Sequence, residues 1–234
     1  MKNKLDTIAG QYSDEKGFEA VVTRYKLKEI LKFTHGPEVL DLGCGEGVIT
    51  RALAGNKYSV TGVDGSGVKL AVAAKRLEGF KVKLVESFFE KYIPRQSFNS
   101  IVMANILEHV SRPVSLLEKA LNWLEKNGRI IATVPNAESL NRRIGLKMGI
   151  IKRIYDLTDE DLKKGHLRFY SLKTVSADFK KAGLKIIYSG GIFLKPFPHK
   201  LMEKVADDKL NQALWELRKD YPLLCSSLII VGKK

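Results

Sequence analysis

Two cysteines in 234 residues are too few for a disulfide framework or a thiolate metal cluster. Cys44 lies inside a glycine turn and Cys225 in an apolar segment, and both read as small fillers in a reducing compartment. No apolar run approaches the ~20 residues of a membrane-spanning helix. The opening Met1-Lys2-Asn3-Lys4-Leu5-Asp6 has no apolar signal core, so the expected location is cytoplasmic. Repeats and low-complexity segments are absent. Acids are scarce beside bases, 26 against 40, for a net charge of +14 that leans towards the second half. That excess suits nucleic acid, a membrane surface or an anionic small molecule, or reflects a lysine-rich composition and nothing more specific.

What is present is a globular chain, 44% hydrophobic, of one domain's size. Apolar spacing predicts a helix over Tyr12–Phe33, ended by His35-Gly36-Pro37. Strand patterns at Glu38–Leu42, Tyr58–Val63, Lys81–Val85, Ser100–Met103 and Arg129–Val134 alternate with helix patterns at Val48–Ala54, Gly67–Leu77 and Pro113–Glu125. Later come a helix Leu172–Ala182, a strand Leu184–Tyr188, a helix Leu201–Lys219 and a strand Ser227–Val231. Such alternation predicts an α/β fold, a parallel sheet with helices on both faces. One domain over residues 1–234 is expected, with a helical cap at 12–37 and an insertion at 135–170 after the fifth strand.

The segment Val39-Leu40-Asp41-Leu42-Gly43-Cys44-Gly45-Glu46-Gly47 carries the chemistry. Glycines let a turn adopt angles closed to other residues and let a ligand touch the main chain. Such turns after a first strand hold nucleotides at a helix N-terminus. Dinucleotide sites read G-x-G-x-x-G/A, and Val48 at the sixth position breaks that pattern. Asp41 beside the turn would repel a pyrophosphate but suits a cation. S-adenosylmethionine carries an ammonium and a sulfonium and no phosphate, so it fits better than NAD. Asp64 ends the next strand about 20 residues on, where a carboxylate grips a ribose diol. Gly65-Ser66-Gly67 follows, with Ser66 as a helix cap. In open α/β sheets ligands lie beyond the carboxyl ends of the strands, which gathers Asp41, Asp64, Glu86, Asn105 and the 135–170 insertion around one cleft.

With Val63-Asp64-Gly65-Ser66, Phe98–Val110, Asn127–Asn136 and His166–Ser171, the chain resembles class I S-adenosylmethionine-dependent methyltransferases. It is most similar to the branch of ubiquinone-pathway O-methyltransferases and small-molecule and sugar methyltransferases. The resemblance implies a Rossmann-like seven-stranded sheet of order 3-2-1-4-5-7-6 with an antiparallel last strand. It implies that Asp41, Gly43, Cys44 and Gly45 surround the methionyl end, and that Asp64, Gly65 and Ser66 hold the ribose. Glu86, Ser87 and Phe88 would flank the adenine, and Asn105 would lie near the methyl donor. Some catechol O-methyltransferases of the branch bind a metal through a Glu and then the Glu and His of a Leu-Glu-His-Val segment. Glu108 and His109 are present here, but Asn105 stands at the first Glu, which argues against a metal.

Methyl transfer from a sulfonium is an in-line displacement that depends mostly on alignment, helped by a base when the nucleophile is a hydroxyl. His109 and His166 are the catalytic candidates, each with a structural role as the alternative. His166, Arg168 and Tyr170 alternate along one segment, so they either line the acceptor pocket or dock the insertion. Arg168 has the fork that matches a carboxylate or phosphate. Tyr12, Arg142 and Arg143 complete the acceptor candidates, while His35 and His199 read as loop residues. From Ser139 to Arg153 there are five bases and no acid, with Leu140, Ile144, Met148 and Ile151 at helical spacing. This predicts a basic amphipathic helix: a solvated lid packed on the core, or a surface for an anionic acceptor such as a phosphorylated or nucleotide-linked sugar, or a lipid-linked one at a membrane surface. The expected function is methyl transfer to a small, anionic acceptor, at oxygen in preference to nitrogen. RNA methylation is the alternative that the charge suggests, though no RNA-binding module accompanies it. A non-catalytic donor-binding subunit is the third.

Overall fold

The computed structural model describes residues 17–234, so Tyr12 lies outside the described residues. The chain runs α1 (Gly17–Phe33), β1 (Glu38–Leu42), α2 (Val48–Gly55), β2 (Ser59–Asp64), α3 (Gly67–Arg76), β3 (Val82–Glu86), β4 (Phe98–Ala104) and α4 (Pro113–Asn122). It continues with β5 (Leu124–Pro135), α5 (Leu140–Lys147), α6 (Asp159–Lys163), α7 (Leu172–Lys181), β6 (Lys185–Gly191), α8 (His199–Val205), α9 (Asp208–Glu216) and β7 (Ser227–Lys233).

The strands form one seven-stranded sheet in the order β3-β2-β1-β4-β5-β7-β6. β1 to β5 pair in parallel, and β7 runs antiparallel to both β5 and β6. The order and the reversed last strand are those expected. Central strands are apolar almost end to end because helices cover both faces. Ile101 and Met103 of β4, Ile130 and Ala132 of β5, and Ile230 of β7 pack towards α4 and α7, with Leu117, Val175 and Phe179. Their neighbours Val102, Ile131 and Val231 pack on the other face, with Val22, Tyr25 and Ile30 of α1. Each such side chain is fully removed from water, which contributes roughly 1.5–3 kcal/mol for a Val, Leu, Ile or Phe.

Three predicted elements are redrawn. The helix expected over Leu201–Lys219 is two helices. Ala206 is extended, and Asp207 caps α9 by accepting the Leu210 N–H at 2.7 Å. Helix α4 stops at Asn122 instead of Glu125, because Leu124 pairs with Phe98 in the sheet. The basic helix expected over 139–153 stops at Lys147. There Gly149 takes φ +73°, and the amides of Gly149 and Ile150 donate to the carbonyls of Leu146 and Gly145. That pair of bonds is a Schellman stop, built on the one residue type that adopts a positive φ without strain.

Candidate active site

The loop after β1 is bent by Gly43 at φ +84° and Gly45 at φ +52°. The amides of Gly43 and Cys44 both donate to the Val63 carbonyl, at 2.7 and 3.1 Å, which ties the β1 and β2 loops together. Asp64 completes the tie. Its two carboxylate oxygens accept the Gly45 and Ser66 amides, each at 2.9 Å. Each oxygen keeps a lone pair, so a ribose diol can still be received there. Ser66 also caps α3 by accepting the Lys69 N–H. Gly65 forms the bend between strand and cap. Asp41 is buried beneath the loop and accepts the Thr50 hydroxyl at 2.6 Å. Its carboxylate thus ties the end of β1 to the first turn of α2. A Cβ on Gly43 would lie 2.0 Å from Ile106 Cδ1, so the loop and the β4 turn face each other closely. Cys44 is buried, and desolvation together with Asp41 and Asp64 pushes its thiol far up, so it is an inert filler.

Glu86 ends β3 in register with Asp64 and is exposed. The Ser87 amide donates to the Asp64 carbonyl at 3.0 Å, and the Ser87 hydroxyl to the Phe88 carbonyl at 3.1 Å. The segment proposed for the adenine is thus fixed to the segment proposed for the ribose.

Asn105 follows β4 at φ +55°, a conformation that Asn tolerates better than most residues and that often marks functional turns. Its amide donates to the Thr133 carbonyl at 2.9 Å, and its side-chain oxygen accepts the Thr133 hydroxyl at 3.0 Å. The side-chain NH2 is then the group turned away from Thr133. Three residues on, Glu108 is completely buried, and neither of its oxygens has a hydrogen-bond partner. Burial lifts its carboxyl to about 8, against a smaller opposite pull from its own amide and from Lys26. Lys26 is itself buried, on α1.

The insertion returns along this turn. The Leu167 amide donates to the Glu108 carbonyl at 2.8 Å, and His109 Nδ1 meets the Gly165 carbonyl at 3.1 Å. The rings of His109 and His166 pack edge to face, with centroids 4.8 Å apart. Desolvation by the surrounding chain holds both imidazoles below their ordinary value, although His109 keeps an exposed face, and His166, with His109 against it, is brought to about 4. His166 Nδ1 is buried without a hydrogen-bond partner, 3.7 Å from Asp161. One ligand atom each of Glu108, His109 and His166 lies within 4.8 Å of the others. The sequence offered Glu108 and His109 side by side; only the fold adds His166. An acid inside the apolar run Ile106-Leu107-Glu108 was the available signal for a buried carboxyl.

Two acceptor candidates are corrected. Arg168 donates to the carbonyls of Val110 at 2.5 Å, Ser111 at 3.3 Å and Leu107 at 3.4 Å, so its fork is spent on the β4 turn. Tyr170 is buried, and its hydroxyl donates to Asp178 of α7 at 3.0 Å. Both are struts. Arg142 is also engaged: it donates to the carbonyls of Ile154 and Asp156 and lies 3.9 Å over the Phe169 ring. Arg143 is exposed and bonds the Glu138 carbonyl. Asn136, at the root of the insertion, donates its side-chain NH2 to the carbonyls of Leu223 and Cys225.

A sheet of this order with a glycine turn after β1 and acids at the ends of β1 and β2 defines a class I methyltransferase, whose methyl donor is S-adenosylmethionine. A family model described as a methyltransferase domain matches residues 17–189, and the chain belongs to that family. Among curated proteins, the ubiquinone biosynthesis O-methyltransferase of Glaesserella parasuis serovar 5 (strain SH0165) is 30% identical over 109 residues, 43% of this chain and 46% of that protein. The chain spans about half the length of the curated relatives it matches. Among solved structures, an S-adenosylmethionine-dependent methyltransferase from Mesorhizobium loti has a TM-score of 0.67 at 18% identity, covering 93% of this chain and 100% of that one. The plantazolicin methyltransferase in complex with a triazolic desmethyl analogue and SAH has a TM-score of 0.60 at 17% identity, covering 99% and 90%. At these identities the structures speak for the fold.

Proposed function

We propose that the chain methylates an oxygen of a small acceptor bound between the Asn105 turn and the 135–170 insertion, with His109 as the base. The observation that carries this is the hydrogen bond between His109 Nδ1 and the Gly165 carbonyl, at 3.1 Å. A carbonyl only accepts, so Nδ1 holds the proton and Nε2 keeps the lone pair. Partial desolvation holds His109 below its ordinary value while one face stays open to solvent, which keeps it neutral near pH 7 and able to take a hydroxyl proton as the methyl moves. His166, brought to about 4, stays neutral as well and is a weaker base. Its part is to position His109 edge to face and to keep water from that side. Asp64, Gly65 and Ser66 hold the ribose, Glu86, Ser87 and Phe88 flank the adenine, and Asp41, Gly43, Cys44 and Gly45 surround the methionyl group. The O-methyltransferase names of the curated relatives support oxygen, and the basic insertion supports an anionic acceptor. The free, buried cysteines suit a reducing cytoplasm.

A second reading is favoured by the two unpartnered oxygens of Glu108. Glu108, His109 and His166 offer an oxygen and two nitrogens to a divalent cation, which would supply the missing partner and polarise an acceptor hydroxyl. The readings separate by calorimetry and turnover. Labelled donor is offered with hydroxycarboxylates, catechols, sugar phosphates and transfer RNA. Transfer to a small-molecule hydroxyl, abolished in His109→Ala with S-adenosylhomocysteine affinity intact, supports the first reading. Methylation of RNA alone overturns it. Raised melting temperature with manganese or zinc ions in the wild type, absent in Glu108→Gln, supports the second.

A further inference from the structure

Beyond the end of the redrawn basic helix lies a tip that carries none of the residues proposed to bind the donor or to act on the acceptor. Beyond the Schellman stop, Met148 is 68% and Ile150 is 69% exposed, on either side of Gly149. In most such stops the residue after the glycine packs back on the helix. Here Ile150 points outwards, although its amide is bonded to the Gly145 carbonyl at 2.9 Å. The tip is therefore a built turn with apolar side chains presented to the outside. Its base is equally fixed, because Arg142 holds the carbonyls of Ile154 and Asp156 and covers the Phe169 ring.

Around the apolar pair the charge has one sign. Lys147 and Lys152 are exposed on the two flanks and have no ion pair among the described residues, and Arg143 is exposed one turn back. No acid occurs between Ser139 and Tyr155. The first acid, Asp156, is already bound by Arg153 at 2.9 Å. Apolar side chains at a tip, ringed by long basic ones, match the layered chemistry of an anionic bilayer. Hydrocarbon takes the tip, and headgroup phosphates take the ring. Nucleic acid would match the ring and leave Met148 and Ile150 in water, since backbone phosphates attract bases and aliphatic side chains do not stack on nucleobases. A partner protein has nothing in this charge pattern to recommend it over lipid.

We propose that the tip from Lys147 to Arg153 inserts into an anionic phospholipid surface, with Met148 and Ile150 in the hydrocarbon and Lys147 and Lys152 at the phosphates. The tip belongs to the same insertion that packs His166 on His109. The inference rests on the surface of the insertion and stands whichever acceptor is methylated.

The test is flotation of the full chain with phosphatidylcholine vesicles, with and without phosphatidylglycerol. Binding is expected only with phosphatidylglycerol and falls with added salt. Met148→Asp with Ile150→Asp lowers the affinity at least about tenfold, since each removes a buried aliphatic group. Lys147→Glu with Lys152→Glu lowers it by a similar factor. Both pairs are surface changes, and unchanged S-adenosylhomocysteine affinity shows that the donor site is folded. Absence of wild-type binding overturns the proposal. So does vesicle binding that survives the Met148 and Ile150 changes, or tip-dependent binding to RNA in preference to vesicles.

Discussion

Glu108 makes stability depend on pH in a direction opposite to that of most carboxylates. Burial lifts its carboxyl from 4.5 to about 8. In the unfolded chain the same group loses its proton near the lower value. Between the two, the folded protein binds a proton that the unfolded chain does not, so stability is full at acid pH and falls as pH rises. The slope approaches about 1.4 kcal/mol per pH unit, and the whole span is worth roughly 5 kcal/mol. Glu108→Gln keeps the volume and cannot ionise. Relative to wild type it should gain about 2–3 kcal/mol between pH 5.5 and 7.5. His109, His166 and His199 are all held below their ordinary value. They contribute stability above the unfolded pKa that is lost as pH falls, and this slope of opposite sign is present in both proteins. Urea unfolding at several pH values, with chelator present, gives the difference directly. Parallel pH profiles for the two proteins would show that Glu108 is ionised in the fold and sink the reasoning.

Three further outcomes follow from single contacts. Asp64→Ala removes the acceptor shared by the Gly45 and Ser66 amides and should weaken S-adenosylhomocysteine binding at least about tenfold by calorimetry, since bonds to a charged group are worth ~1.5–3 kcal/mol each. Arg168→Ala should cost about 2–4 kcal/mol in urea unfolding, by releasing three carbonyls of the β4 turn, and should leave donor affinity unchanged. Asp207→Ala should cost about 1 kcal/mol, the usual value of an N-cap, and an unaltered midpoint would mean that α8 and α9 do not depend on that stop.

The geometry of the loops after β1 and β2 was legible because each directly follows a strand with a clear apolar run. Gly43, Gly45 and Asp64 lie at the ends of two strands whose apolar runs fix their register, and chain direction in a parallel sheet does the rest. The acceptor half was harder, because alternation along His166, Arg168 and Tyr170 does not say what each side chain meets. His166 packs on His109, Arg168 binds three carbonyls, and Tyr170 turns to Asp178. Spacing also carried the basic helix through Gly149, where a positive φ ends it. The convergence of Glu108 with His166 depends on a 135–170 segment folding back over the β4 turn, and no local pattern encodes such a return.

The place of β7 between β5 and β6 bears on how the chain assembles during synthesis. Among the described residues, β6 has no sheet partner other than β7, which is made after it. Strands β1 to β5, with the loops after β1 and β2, are complete once Pro135 has left the ribosome. This parallel part of the sheet precedes the antiparallel edge, for which β6 waits. Asn136 waits as well, since the carbonyls that hold its side chain belong to Leu223 and Cys225, just ahead of β7. Translation therefore separates the sheet in time: the parallel strands and the loops after β1 and β2 come first, and the root of the insertion is locked only when the final strand threads into the gap.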